Sequence, residues 1–279
     1  MYWFFPCNNY HPDAIKALVY SAYEFNPEFK PICIWDEPTV YDPVLRKWLE
    51  DRGVLVHQYR SSFALEIVLL QRENYFIHET HGCTDFGSAE HREDSLYGMW
   101  SKADVPLICE ELGIKEEYVL VTDPDCIFAA EYDLEIEPDI LAVGPEEEPY
   151  REWASGGIYV FNVKRMLEDR QKFEEFVIKN YRDIGYHETL SLTEFYGFRN
   201  LDHISPDWNY KPFWEKERDY LVSPVDRAIF RSTPKLIHFQ GIHKPWNNPP
   251  MPDNTDMKLY CDIWSEYLKM SDSSFKFKS

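Results

Sequence analysis

Two acids flank a proline at Asp123-Pro124-Asp125, and far downstream a histidine and a lysine share the run His238-Phe239-Gln240-Gly241-Ile242-His243-Lys244-Pro245-Trp246. Two carboxylates, one imidazole and one ammonium group are the parts needed to hold a divalent cation against a diphosphate. Carboxylate oxygens suit hard ions such as magnesium and manganese, and a single imidazole tilts the choice toward manganese. Lys244 adds a compact positive charge for phosphate oxygens that the cation leaves uncovered. Taken alone, the triplet reads as a turn with two solvated acids and His238 as a structural histidine. Their context reverses both readings.

That context is a set of elements ending at the right places. Tyr118-Val119-Leu120-Val121-Thr122 has the β-branched, apolar character of a buried strand, and the acids follow at once. In open α/β sheets, ligands sit beyond the carboxyl ends of strands. Pro124 has no amide hydrogen for a ladder, which suits a strand that stops there. Leu236 to His238 reads as another short strand, and Gly241 lets the backbone approach a ligand closely.

Upstream, strands and helices alternate: strand Tyr2 to Phe5, helix Asp13 to Phe25, strand Pro31 to Trp35, helix Pro43 to Arg52, strand Val54 to Gln58. Such alternation predicts parallel strands with helices on both faces. After Asp125 the pattern is richer in strands (Ile140 to Val143, Gly157 to Asn162), with helices near Lys164 to Asn180 and His187 to Phe195. Met257, Tyr260, Cys261, Trp264 and Leu268 mark one face of a last helix. No linker or repeat divides the chain. A single domain over residues 1–279 is expected, with a nucleotide-binding half to 125, a donor and acceptor half over 126–254, and a carboxyl-terminal helix and tail from 255.

Asp-x-Asp after a strand, with His-x-x-Gly-x-x-Lys-Pro-Trp downstream, resembles glycosyltransferase family 8, the group of glycogenin and the bacterial lipopolysaccharide galactosyltransferases. The likeness extends over most of the chain. Phe5-Pro6-Cys7-Asn8-Asn9-Tyr10 matches the family's first strand and its uridine segment. Ser101-Lys102-Ala103 lies where the family has a basic residue near the donor. Ser155 to Asn162 is similar to its Asn-Ala-Gly strand under the donor sugar, and Trp208-Asn209-Tyr210 to a later strand.

The resemblance implies a GT-A fold, an α/β architecture with a mixed, mainly parallel central sheet and helices on both faces. It also implies manganese (or magnesium), a UDP-sugar donor carrying glucose or galactose, and hexose transfer with retention. By position, Asp123, Asp125 and His238 would be metal ligands. Asn9 and Tyr10 would meet the uridine, Lys102 the donor phosphate or sugar, and Gly241 and Lys244 the diphosphate. Cys7, Pro124, Ser155 and Gly156 complete the implied donor-binding set.

The chain also departs from the family. Cys7 stands where an acid contacts the base, and Ser155 replaces an asparagine. At the Asp-Gln-Asp site, Tyr186, His187 and Glu188 are found. Glu188 is the catalytic candidate on the reacting face beside Lys244; its bland alternative is a solvated helix carboxylate. Two other functions stay open: a nucleotidyltransferase of related architecture, and a non-catalytic glycosyltransferase-like binding protein. The chain lacks the Gly-rich, basic first loop that the former would carry. Glycan, lipid and protein acceptors are all compatible with the sequence.

A formal net charge of -20 argues against nucleic acid as a partner, since a phosphate backbone calls for a basic surface. It also makes a cation bridge useful for a diphosphate. Six scattered cysteines, several inside apolar runs, predict buried thiols and a reducing, cytoplasmic setting. No apolar stretch reaches transmembrane length. Residues 74–94 carry His78, His81, Cys83 and His91 at a spacing that fits no zinc pattern; a loop is favoured, with a lid over the donor as a hypothesis. Phe275-Lys276-Phe277-Lys278 allows a weak peripheral membrane contact, against which a frayed terminus is favoured.

Overall fold

The apolar run Tyr2–Cys7 forms strand β1, and its alternating side chains feed two different cores. Phe4 points into one; Trp3, Phe5 and Cys7 point into the other. This is the expectation for a central strand covered on both sides. In the computed structural model, residues 1–8, 11–36, 40–73, 97–145, 154–184, 188–212, 234–240, 244–247 and 255–278 are described.

β1 pairs in parallel with β2 (Lys30–Trp35) and β4 (Tyr118–Thr122), and β2 pairs in parallel with β3 (Leu55–Gln58). β7 (Ala154–Asn162) runs antiparallel to β4 and to β6 (Leu141–Pro145), and β8 (Asp202–His203) completes the seven-stranded order β3-β2-β1-β4-β7-β6-β8. The expected mixed, mainly parallel sheet is present. The register of β6 against β7 shifts between Val143 and Gly144, an irregularity beside the site.

Helices cover both faces. α1 (Pro12–Phe25) starts with Pro12 after an N-cap at His11, whose Nδ1 accepts from the Asp13 amide, and it buries Ala14, Ile15, Leu18, Val19 and Ala22. α2 (Pro43–Asp51) is capped by Asp42, which accepts from the Val44 and Leu45 amides. On the other face lie α3 (Ser62–Glu73), a helical stretch over 97–103, α4 (Val105–Leu112), α5 (Val163–Ile184) and α6 (Glu188–Tyr196). α3, the 97–103 stretch and α4 were not expected from the sequence. α4 ends on Gly113 at φ 68°, a left-handed cap that glycine adopts freely.

A second, two-stranded sheet pairs β5 (Cys126–Phe128) antiparallel with β9 (Leu236–His238). β5 was also missed, because three apolar residues after a proline carry no periodicity. A third core cluster joins this small sheet through Ile127, Ile237 and Phe239 to Ala17 of α1. Met257 and Trp264 of α7 (Thr255–Met270) close that cluster. The expected apolar face of the last helix therefore packs on the domain.

The tail is docked rather than frayed. Phe275 and Phe277 are buried, Phe275 lies 4.7 Å from Tyr23 and 6.0 Å from Trp48 between ring centroids, and the Phe277 amide donates to Arg52 O at 3.0 Å. Alternation turns the phenylalanines inward and the lysines outward, so the aromatic rings needed for a membrane contact are not on offer. Phe275→Ala is expected to lower stability by about 3–5 kcal/mol, measured from the urea midpoint at constant slope. A change under 1 kcal/mol would mean that the tail contributes little to the fold.

Candidate active site

The acid triplet occupies the turn from the main sheet into the small one. The Asp123 amide donates to Gly157 O at 3.1 Å, closing the end of β4 on β7. Pro124 is buried in the turn, and β5 begins at Cys126. Cys126 is the register partner of His238 across β5 and β9, while the Phe239 amide donates to Asp125 O at 2.9 Å. This pairing spans more than a hundred residues of sequence and places the imidazole over the carboxylates.

His238 Nε2 lies 3.3 Å from Asp125 Oδ1 and 3.8 Å from Asp123 Oδ2. Lys244 Nζ contacts Asp125 Oδ2 and also donates to Phe239 O. On the far side, Lys102 Nζ lies 2.5 Å from Asp123 Oδ1 and 2.6 Å from Glu188 Oε1, and donates to Gly156 O at 3.2 Å. Glu188, only 2% exposed, is no solvated helix acid. Its Oε1 accepts from Tyr159 Oη at 3.2 Å and Thr189 Oγ1 at 3.1 Å.

These groups shift one another. Burial would pull the Lys102 ammonium down, but Asp123 and Glu188 push it well above its ordinary range, so it stays charged. Burial works against ionisation of Asp125, yet Lys244 and His238 hold its carboxyl well below the usual range. Asp123 moves up, through burial and the Asp125 charge, despite Lys102. Tyr159 is raised well above its usual value by burial and by Glu188. Three carboxylates thus face two ammonium groups and the His238 imidazole.

The donor set fits a divalent cation. Asp125 Oδ1 is buried, and among the described residues its polar neighbour is His238 Nε2 at 3.3 Å. A buried carboxylate oxygen with only an imidazole beside it, next to a second aspartate, is a site where a cation would supply further partners. Asp125, Cys126 and His238 also group their donor atoms within 4.8 Å. The Cys126 thiol, however, donates to Gly157 O at 3.5 Å, and burial with the two aspartates pushes it well up. It lies behind the carboxylates as a neutral thiol.

Of the residues expected from the sequence, Asp123, Asp125, His238, Lys244, Lys102, Glu188 and Gly156 come together here. Ser155 is buried on β7 beside them. Cys7 is buried in the core, its thiol against Cys33, and makes no contact with the acid cluster among the described residues. Asn9, Tyr10, Tyr186, His187 and Gly241 lie outside the described residues, as do 74–94 with the suggested lid. Trp208-Asn209-Tyr210, expected as a strand, instead ends a 3-10 helix over Pro206–Asn209, with only Tyr210 bridging to Ile237. Sequence reading assigned no role to Tyr159, Thr189 or Asn209. The one available signal for Asn209 was an amide side chain set between two aromatic residues.

No protein-family model matches the sequence, and no curated protein matches it either. Solved structures do match its shape. The galactosyltransferase LgtC in complex with donor and acceptor sugar analogs superposes with a TM-score of 0.69 at 14% identity, covering 98% of this chain and 97% of that one. The fold is of the GT-A type. The glycosyltransferase GlyE of Streptococcus pneumoniae TIGR4 shares this GT-A fold, with a TM-score of 0.64 at 14% identity over 98% of this chain. So does the bifunctional glycosyltransferase WbbM, at 0.64 and 13% over 95%. The chain spans 60% of the GlyE chain and 49% of the WbbM chain. Among the described residues, no helix is long and apolar enough to cross a membrane.

Proposed function

We propose that this protein is a metal-dependent glycosyltransferase that moves a hexose, glucose or galactose, from a UDP-sugar to a glycan, lipid or protein acceptor with retention. The observation that carries the reading is the convergence of Asp123, Asp125, His238 and Lys244 at the carboxyl end of β4. The likeness in fold to glycosyltransferases supports it.

Asp123, Asp125 and His238 would hold manganese or magnesium. When bound, such an ion supplies positive charge for the leaving diphosphate. Lys244 is anchored on Asp125 and Phe239 O, at the rim of the same cluster. Its charge is fixed before reaction and meets negative charge that grows as the bond between anomeric carbon and phosphate breaks. A group that interacts more strongly with the transition state than with the ground state lowers the barrier. Lys102 bridges Asp123, Glu188 and the Gly156 carbonyl, which holds the two acids in place.

Incubation with manganese and a panel of nucleotide sugars, followed by assay of free nucleoside diphosphate, tests the reading. Release of UDP from UDP-glucose or UDP-galactose is expected. Lys244→Ala should lower the rate on the order of 100- to 1000-fold, the usual cost of removing one preorganised group that meets developing charge. Release of pyrophosphate would instead indicate nucleotidyl transfer. Binding without turnover would indicate a non-catalytic protein.

A further inference from the structure

We propose that Asn209 is the positioning residue that decides which nitrogen of His238 faces the carboxylates. The inference rests on the proposed cation site and deepens it. His238 Nδ1 lies 3.0 Å from Asn209 Oδ1, with both side chains buried. An amide oxygen can only accept, so the ring hydrogen belongs on Nδ1. Nε2 then keeps its lone pair, and it is Nε2 that stands 3.3 Å from Asp125 Oδ1. In the other tautomer a hydrogen would point at the carboxylates and occupy the place of a metal bond.

The backbone makes the pair a rigid unit. The His238 amide donates to Tyr210 O at 2.7 Å, the Tyr210 amide to Leu236 O at 3.0 Å, and the Lys235 amide to Asp207 O at 2.8 Å. The 3-10 turn carrying Asn209 is therefore laced along β9, which carries His238. Two glycines leave the room that the amide needs. A Cβ at Gly144 would stand 2.7 Å from Asn209 Nδ2, and one at Gly157 would stand 2.3 Å from Asn209 Oδ1. The irregularity between Val143 and Gly144 sets the first of these against the amide. A neutral amide also orients the ring without adding a further acid beside Asp123 and Asp125.

The test uses the full chain and has a readout independent of turnover. Nitrogen-15 NMR of the histidine rings, without metal and at a pH where the ring is neutral, reports the tautomer of His238, assigned by its loss in His238→Ala. The Nδ1–H form is expected in the native protein and a shift toward Nε2–H in Asn209→Ala. Paramagnetic titration of free manganese should show affinity falling roughly 10- to 100-fold in Asn209→Ala, the usual cost of losing the partner behind a metal-binding histidine. Asn209→Asp, which keeps an acceptor at the same place, should recover much of that loss. The Nε2–H form in the native protein, or an Asn209→Ala protein unchanged in both tautomer and affinity, would overturn the proposal. The expected tautomer without any manganese binding would leave the role of Asn209 standing and overturn the cation site instead.

Discussion

Lys102→Met is expected to lower stability by roughly 3–5 kcal/mol, the cost of breaking a buried ion pair on one side only. Lys102 is 3% exposed and its ammonium touches Asp123, Glu188 and the Gly156 carbonyl. Methionine fills much of the same volume, so packing changes little. What changes is charge: two carboxylates that faced an ammonium at 2.5 and 2.6 Å would keep their burial and lose it. The Tyr159 and Thr189 hydroxyls around Glu188 are dipoles and offset only part of that loss.

Lys102→Met combined with Glu188→Gln removes one negative charge along with the positive one and should recover about half of the lost stability. Asp123, left without its ammonium, accounts for the other half, which its partial exposure limits through solvent screening. Urea unfolding of native, single and double variants measures both numbers. If Lys102→Met unfolds at the native midpoint, the ammonium is not what holds these acids, and the floor of the site must be explained by packing. If the double variant is no better than the single, Glu188 is not the charge that Lys102 answers.

How far the sequence disclosed this arrangement depends on the range of the signal. β1, α1, β2, α2, β3 and β4 follow from apolar runs and periodicity, all of them local. Asp123, Asp125, His238 and Lys244 were legible because their residue types do unusual chemistry and follow strands. The register that joins them was not. The pairing of Cys126 with His238 depends on a three-residue strand that no pattern marks. Lys102 was expected to face a donor, but its commitment to Glu188 depends on how α6 meets the 97–103 stretch beside β7, a tertiary matter. Glu188 was the candidate for the reacting face with a helix-surface acid as the alternative, because helical spacing cannot tell which face a cation will occupy. Cys7 was assigned to the donor site by resemblance alone. Alternation along β1 puts residue 7 with Trp3 and Phe5, which was readable in principle, but similarity in sequence position outweighed that period.

Gly157→Ala should weaken manganese binding by on the order of 100-fold or more, at the upper end of what loss of support behind a metal ligand costs, while leaving the chain folded. The Cβ it adds would lie 2.3 Å from Asn209 Oδ1, 2.3 Å from His238 Nδ1 and 2.8 Å from His238 Cε1. Contacts that short are not tolerated, and neither neighbour is a loose surface group. His238 is 3% and Asn209 4% exposed, so the methyl group must drive the ring away from the acids or break its bond to the amide. Gly157 does not have a positive φ, so the backbone itself accepts alanine and the effect is purely one of space. Gly156→Ala is the matching control one residue earlier. Its Cβ would press on Thr189 Oγ1 at 2.7 Å and on Glu188 Oε1 at 3.1 Å, and strands send adjacent side chains to opposite faces. That variant should disturb the Glu188 side of the cluster and leave manganese affinity within a few-fold of native. Titration of both with manganese therefore separates the two halves of the site. Equal, native-like affinity in Gly157→Ala would mean that the imidazole of His238 is not what binds the ion.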